Sequence, residues 1–96
     1  MTFRILLPAI REIREAAKYY QEAVPGLGID FFAEVRAAVR RIQAHPEAWS
    51  SMDPGFRRCR LHRFPYGVIY AIEAGQILIV SVMDLRRQPD SWRKNL

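Results

Sequence analysis

Arg58 and Arg60 stand two residues apart in the stretch Phe56–Phe64, where polar and apolar residues alternate. In a β-strand, side chains with that spacing leave the same face. Two guanidinium groups held side by side can grip a phosphate through paired hydrogen bonds and stabilise the charge that develops on it during phosphoryl transfer. Arg57 and Arg63 flank the pair, and Arg86 and Arg87 follow a later apolar run. Such residues also have plainer roles. Arginines on a strand can simply form a solvated face that discourages edge-to-edge association, and pattern alone favours this for Arg58 and Arg60. For Arg86 and Arg87, ending a strand and reaching over the same surface are equally good readings. His62 shares the face of the pair and has the chemistry of an acid–base group, although a lone histidine is more often structural. Tyr66 and Tyr70 lie four apart on one strand face. They can stack on bases, but sheet packing with a wet hydroxyl is commoner. Trp92 can stack likewise or staple the chain end to the sheet, the staple being the commoner use. Trp49 reads as a loop anchor, His45 as a helix-end residue, and Cys59 as a core residue.

Other chemistries are excluded by what is missing. There is no phosphate-binding glycine loop and no dinucleotide fingerprint. One cysteine and two histidines make a zinc site improbable and an internal disulfide impossible. No cofactor is expected. The net charge of +5 is unevenly placed. Residues 1–56 carry seven basic and seven acidic side chains, whereas residues 57–96 carry eight basic and three acidic ones, so the whole excess lies in the second part. A field of that sign attracts phosphates or acidic protein segments. No apolar stretch approaches the roughly 20 residues of a membrane span, and the first residues lack a signal-peptide core. A soluble, cytoplasmic protein without a membrane partner is the expectation.

The elements that must position these residues follow from periodicity. Thr2–Leu7 reads as a short strand ended by Pro8. From Ala9 to Val24, Ile10, Ile13, Ala17, Tyr20 and Val24 recur at helical spacing. Pro25-Gly26-Leu27-Gly28 breaks that helix, and Asp30 suits the N-cap of a second one. The stripe of this second helix is Phe32, Val35, Val39 and Ile42, with Phe31 and Ala38 beside it, and Pro46 marks its exit. Glu47–Gly55 reads as a loop. Three strands follow: Phe56–Phe64; Tyr66–Glu73, with Val68, Tyr70 and Ile72 on one face; and Gln76–Leu85, joined to it by an Ala74-Gly75 turn. A short helical tail contains Trp92. The order β-α-α-β-β-β implies one α+β domain over residues 1–96: a small, mostly antiparallel four-stranded sheet with an N-terminal helical hairpin on one face. The other face is expected to be polar and to carry the arginines.

The stretch Arg57–Tyr70 (RRCRLHRFPYGVIY), followed by Ile77–Val82 and Asp84-Leu85-Arg86-Arg87-Gln88-Pro89, resembles toxins of the RelE/ParE superfamily. So does AAKYYQEAVPGLGIDFFAEV, with its tyrosine pair and PGLG turn. The resemblance covers most of the chain and rests on order, spacing and size rather than on one motif. It implies the toxin component of a type II toxin–antitoxin system, which arrests growth when free of its antitoxin. RelE-like members cut mRNA in the ribosomal decoding site, and ParE-like members poison DNA gyrase. The implied partners are therefore a cognate antitoxin and either ribosome-bound mRNA or gyrase. In the nuclease case the resemblance implies a metal-independent, ribosome-dependent endoribonuclease, in which the RNA 2′-hydroxyl attacks the adjacent phosphate. Arg58, Arg60 and Arg86 match its phosphate-holding positions, and Trp92 falls where a tail tyrosine stacks on the base. Gly67 stands where such nucleases carry a further arginine, and Asp84 where relatives often carry a histidine. Target or antitoxin binding falls to Arg57, Arg58, Arg60, Arg63, Arg86 and Arg87. The alternative from another class is a non-toxic basic binding module or a degenerate family member.

Overall fold

The computed structural model describes residues 1–96. Strand β1 (Phe3–Ile5) runs almost directly into helix α1 (Leu7–Ala23). Pro8 thus opens a helix instead of merely closing a strand. In a first turn its ring presets the helical φ, and its missing N–H would have no partner there anyway.

Helix α2 spans Leu27–Ala44 and starts four residues earlier than an Asp30 cap requires; Asp30 lies in its first turn. The cap residue is Gly26, which has no side chain to offer. Gln21 of α1 takes over the task. Its Oε1 accepts the N–H groups of Gly26 at 3.1 Å and Gly28 at 3.0 Å, pairing two amides that a helix start otherwise leaves open. Gly28 is required by contact: a Cβ there would lie 2.6 Å from the backbone oxygen of Ala17. Phe31, Val35, Ala38, Val39 and Ile42 are buried, whereas Phe32, expected inside, is exposed. On α1 the buried positions are Ala9, Ile13, Ala16 and Ala17, with Val24 exposed.

The remaining strands are β2 (Ser50–Ser51), β3 (Arg57–Arg60), β4 (Tyr66–Glu73) and β5 (Gln76–Asp84). The sheet order is β1-β5-β4-β3-β2, with β1 parallel to β5 and every other pair antiparallel. The fold is α+β, a helical hairpin on a mostly antiparallel sheet, as the pattern implies. The sheet has a fifth strand because Ser50 and Ser51, inside the expected loop, pair with Arg58 and Arg57. No periodicity signals a strand of two residues.

The two sheet faces are covered unequally. Cys59, Val68, Tyr70, Ile77, Ile79 and Val82 face the helices and join a 17-residue buried core. The opposite face is not polar. It holds a second buried cluster of Ile69, Val80, Met83 and Trp92, with Phe56 and Leu85 at its margin. Trp92 lies in a single 3₁₀ turn (Ser91–Asn95) strapped across that face. A bulge makes both clusters possible. Ile69 pairs with Ser81 but Tyr70 with Ile79, so Val80 is an extra residue that resets the in–out alternation of β5. Glu12 of α1 reaches this irregularity. Its Oε1 accepts the Ser81 hydroxyl at 2.9 Å, the Val82 N–H at 3.1 Å and the Asn95 amide at 3.1 Å. One carboxylate oxygen thereby joins helix, bulge and strap. No helix is long and apolar enough to cross a membrane.

Candidate functional site

Arg58 and Arg60 do share a face, the one away from the helices, because their register partners are Ile69 and Gly67. Arg60 is exposed and Arg58 half-buried. Neither forms an ion pair: every paired arginine lies elsewhere. The Arg58 stem leans across β4 onto Gly67. A Cβ on Gly67 would lie 3.1 Å from Arg58 Cγ, 3.2 Å from its Cδ and 3.2 Å from Leu85 Cδ2. The glycine is therefore more than a missing arginine, since it provides the space in which Arg58 lies. Arg58 Nε is buried there without a hydrogen-bond partner. A buried donor left open in this way costs free energy in the isolated toxin.

Of the other candidate arginines, Arg57, Arg63 and Arg86 are already engaged, on the helix side. Arg57 alternates with Arg58 and donates to the Trp49 carbonyl at 2.8 Å. The Trp49 indole in turn donates to the Arg41 carbonyl at 3.3 Å, which makes it the loop anchor expected. Arg63 pairs with Asp30 at 3.5 Å, and its guanidinium lies 5.7 Å from the centre of the Phe64 ring. The backbone N–H groups of His62 and Arg63 both donate to Glu34 Oε1. Burial opposes ionisation at Glu34, but these donations outweigh it and hold the carboxyl below its ordinary value. His62 is thus held by its backbone, with its ring exposed.

Arg86 forms a closed fork with Asp84. Its Nε and Nη2 donate at 3.0 and 2.8 Å, and its backbone N–H donates at 2.9 Å. The side-chain hydrogen bonds of Arg86 hold the Asp84 carboxyl below the usual aspartate value despite burial, and Asp84 stabilises the guanidinium charge in return. Arg87 stands more loosely, 4.0 Å from the same carboxylate. Asp84 pairs with Tyr66 across the ladder, and the charge of Arg86 is felt at Tyr20 and Tyr66. These are helix-side residues. The structure therefore brings Arg58 and Arg60 together but separates Arg86 from them by the thickness of the sheet.

The aromatic candidates are structural. Tyr70 is fully buried and donates its hydroxyl to the Pro46 carbonyl, and burial pushes its pKa up to about 12. Tyr66 joins Tyr20, Phe31 and Phe64 in a cluster of edge and tilted contacts. Trp92 is 1% exposed, with Phe56 on its ring at 4.7 Å and Arg93 at 4.8 Å, which leaves no free face for a base. Arg93 is held in turn by Asp53. Cys59 is buried against Arg41, and desolvation raises its thiol pKa. Sequence reasoning noted Asp84 only as a replaced histidine, missing its fork with Arg86, and passed over Glu12. The spacing Asp84-x-Arg86 is a usable sign of a local fork, but nothing in the helix pattern distinguishes Glu12 from Glu15.

Residues 3–89 match the family model for the ParE toxin of the type II toxin–antitoxin system, parDE. The chain belongs to the ParE toxin family. It is the toxin component of such a system, and a type II toxin has an antitoxin protein as its partner. A solved structure described as the chromosomal ParDE TA system from P. aeruginosa superposes with a TM-score of 0.78 at 19% identity, covering 88% of this chain and 96% of that one. At that identity the likeness carries the fold. A search of curated protein sequences found no significant match.

Proposed function

We propose that the free toxin arrests growth by binding DNA gyrase and that it is not a ribosome-dependent nuclease. The observation that carries this reading is the dispersal of the nuclease groups. Arg58 and Arg60 lie on one sheet face, Arg86 is folded onto Asp84 on the other, Gly67 is filled by the Arg58 stem, and the Trp92 ring is covered. A phosphoryl-transfer site needs its charged donors preorganised around one phosphate, whereas a binding surface needs only complementary patches. The unpaired Arg58 and Arg60 supply a cationic patch for an acidic protein surface. With gyrase as its target, the toxin acts in the cytoplasm.

The antitoxin holds the toxin inactive by covering it. Ile29 and Phe32 lie three apart on the outer face of α2, 70% and 42% exposed, with Arg36 and Arg40 continuing that side of the helix. Apolar positions followed by cations suit an amphipathic helix that carries acidic residues.

The test is to add purified toxin to a gyrase supercoiling reaction and, separately, to ribosomes programmed with mRNA. Supercoiling is expected to be blocked, with the mRNA left intact. Codon-dependent cleavage without an effect on gyrase would overturn the reading, and normal growth at verified soluble expression would count against toxicity altogether.

A further inference from the structure

A cleft of about 670 Å³ lies between α1, the end of β5 and the strap. It is lined by Ala16 and Val82, by the aromatic rings of Tyr19 and Tyr66, and by charges of both signs. Half of those charges are already committed. Asp84 is closed by Arg86, and Glu12 Oε1 accepts three donors. Three remain open: Glu15 on the α1 wall, and Arg87 and Lys94 on the opposite wall. Arg87 keeps 80% of its side chain in solvent, and Tyr19 is 65% exposed.

We infer that this cleft binds an extended segment of the antitoxin, with an apolar side chain seated between Tyr19 and Tyr66 and a neighbouring carboxylate on Arg87 and Lys94. The two-signed lining selects a peptide. A phosphate chain would gain from Arg87 and Lys94 but would meet Glu15 and Glu12 across the cleft. A polypeptide can answer both walls, because a carboxylate and a basic or amide group can stand a few ångströms apart on one strand. The exposed Tyr19 ring and the half-buried Tyr66 ring supply the apolar anchor that such a contact needs. The strap forms one wall, and Asn95 fastens it to Glu12 and to the Val80 carbonyl. Occupancy of the cleft therefore also clamps Trp92 over the second core cluster. This inference rests on the antitoxin partnership of the family and is independent of which target the toxin attacks.

The experiment is calorimetric titration of the cognate antitoxin into purified toxin carrying Tyr19→Ala or the double reversal Arg87→Glu/Lys94→Glu. These side chains are exposed, so folding is preserved and is checked by circular dichroism. Arg14→Glu, on α1 but outside the cleft, is the control. Each cleft variant is expected to weaken binding at least about tenfold, the control to leave it unchanged, and supercoiling inhibition by the free variants to persist. Unchanged antitoxin affinity in both cleft variants would overturn the inference. So would loss of supercoiling inhibition with antitoxin affinity intact, because the cleft would then face the target. Weakening of the wild-type interaction by millimolar inorganic pyrophosphate, lost in the double reversal, would mark a phosphate site and overturn it as well. If wild-type toxin never inhibits gyrase, only the target assignment fails, and the affinity comparison still decides the cleft.

Discussion

The two sheet faces differ in how they treat the same residue type. On the helix side, where α1 and α2 bury a 17-residue core, three of the candidate arginines are bound within the molecule, Arg57 by a carbonyl, Arg63 by Asp30 and Arg86 by Asp84, and Arg87 is left largely in solvent. On the strap side, where only four residues are fully enclosed, Arg58 and Arg60 have no acidic partner. A guanidinium already satisfied by its own protein has little left for another, so the thinner face is where outside partners gain most.

The strongest way to break this contrast is to remove the strap side's anchor. Trp92→Ala is expected to cost about 3–5 kcal/mol, the usual cost of truncating a buried aromatic residue. Chemical denaturation measures the loss, and hydrogen exchange should show the opening confined first to β4–β5 amides under the strap. Equal opening of α1 and α2 would mean that the two faces are one cooperative unit. The next effect is functional. Reversing Arg58 and Arg60 to glutamate is expected to weaken supercoiling inhibition by about a hundredfold, and chemical denaturation checks that the fold survives loss of the Arg58 stem from Gly67. Arg86→Gln should leave inhibition within a few-fold of the parent. If the two variants behave alike, the separation by sheet face has no functional meaning.

Gly67→Arg sharpens the same point more gently. It installs the guanidinium that RelE-like nucleases carry, but it must displace Arg58 and press on Leu85, at a cost of about 1–3 kcal/mol. No gain of mRNA cleavage is expected, and a translation-coupled cleavage assay checks this. The smallest effect belongs to the helix side at high pH. The Tyr70 pKa is raised from 10.0 to about 12, so the unfolded chain releases this proton before the native one does. The stabilisation is complete below pH 10.0 and lost as the pH climbs towards 12. Denaturation midpoints should fall across that window, and Tyr70→Phe should flatten the fall.

The hairpin and the three main strands were legible in the sequence because each carries a long periodic signal closed by proline or glycine. The shared face of Arg58 and Arg60 followed from strand alternation alone. The face of Arg86 did not, because the bulge at Val80 resets the alternation ahead of it, and a bulge has no one-residue signature. The polar second face was misjudged for a related reason. Ile69 alternates outward on β4 as an apolar residue, and the extra residue Val80 puts β5 side chains beside it on that face together with Met83. Phe32 was placed inside because a stripe through Val35, Val39 and Ile42 passes between Phe31 and Phe32, and only Phe31 turns inward; the Asp30 cap was misread because the capping group is Gln21, six residues upstream of the helix it closes. Trp49 and Trp92 were readable as anchors because a large ring in a short domain nearly always finds a core.

Sheet topology also sets an order in time. The α1–α2 hairpin is made of contacts between near neighbours in sequence, and its cap comes from within it. Strand β1, by contrast, waits for Ile77–Ile79 before Phe3–Ile5 have a partner. Local contacts form quickly, and those that close long loops form late. A chain wired in this way presents a finished hairpin before it has a finished sheet, and pulse-labelled hydrogen exchange would read that order as early protection in residues 7–44 and late protection at β1. An antitoxin that first grips the hairpin can therefore meet the toxin before the arginine face exists, so that inhibition begins ahead of the hazard.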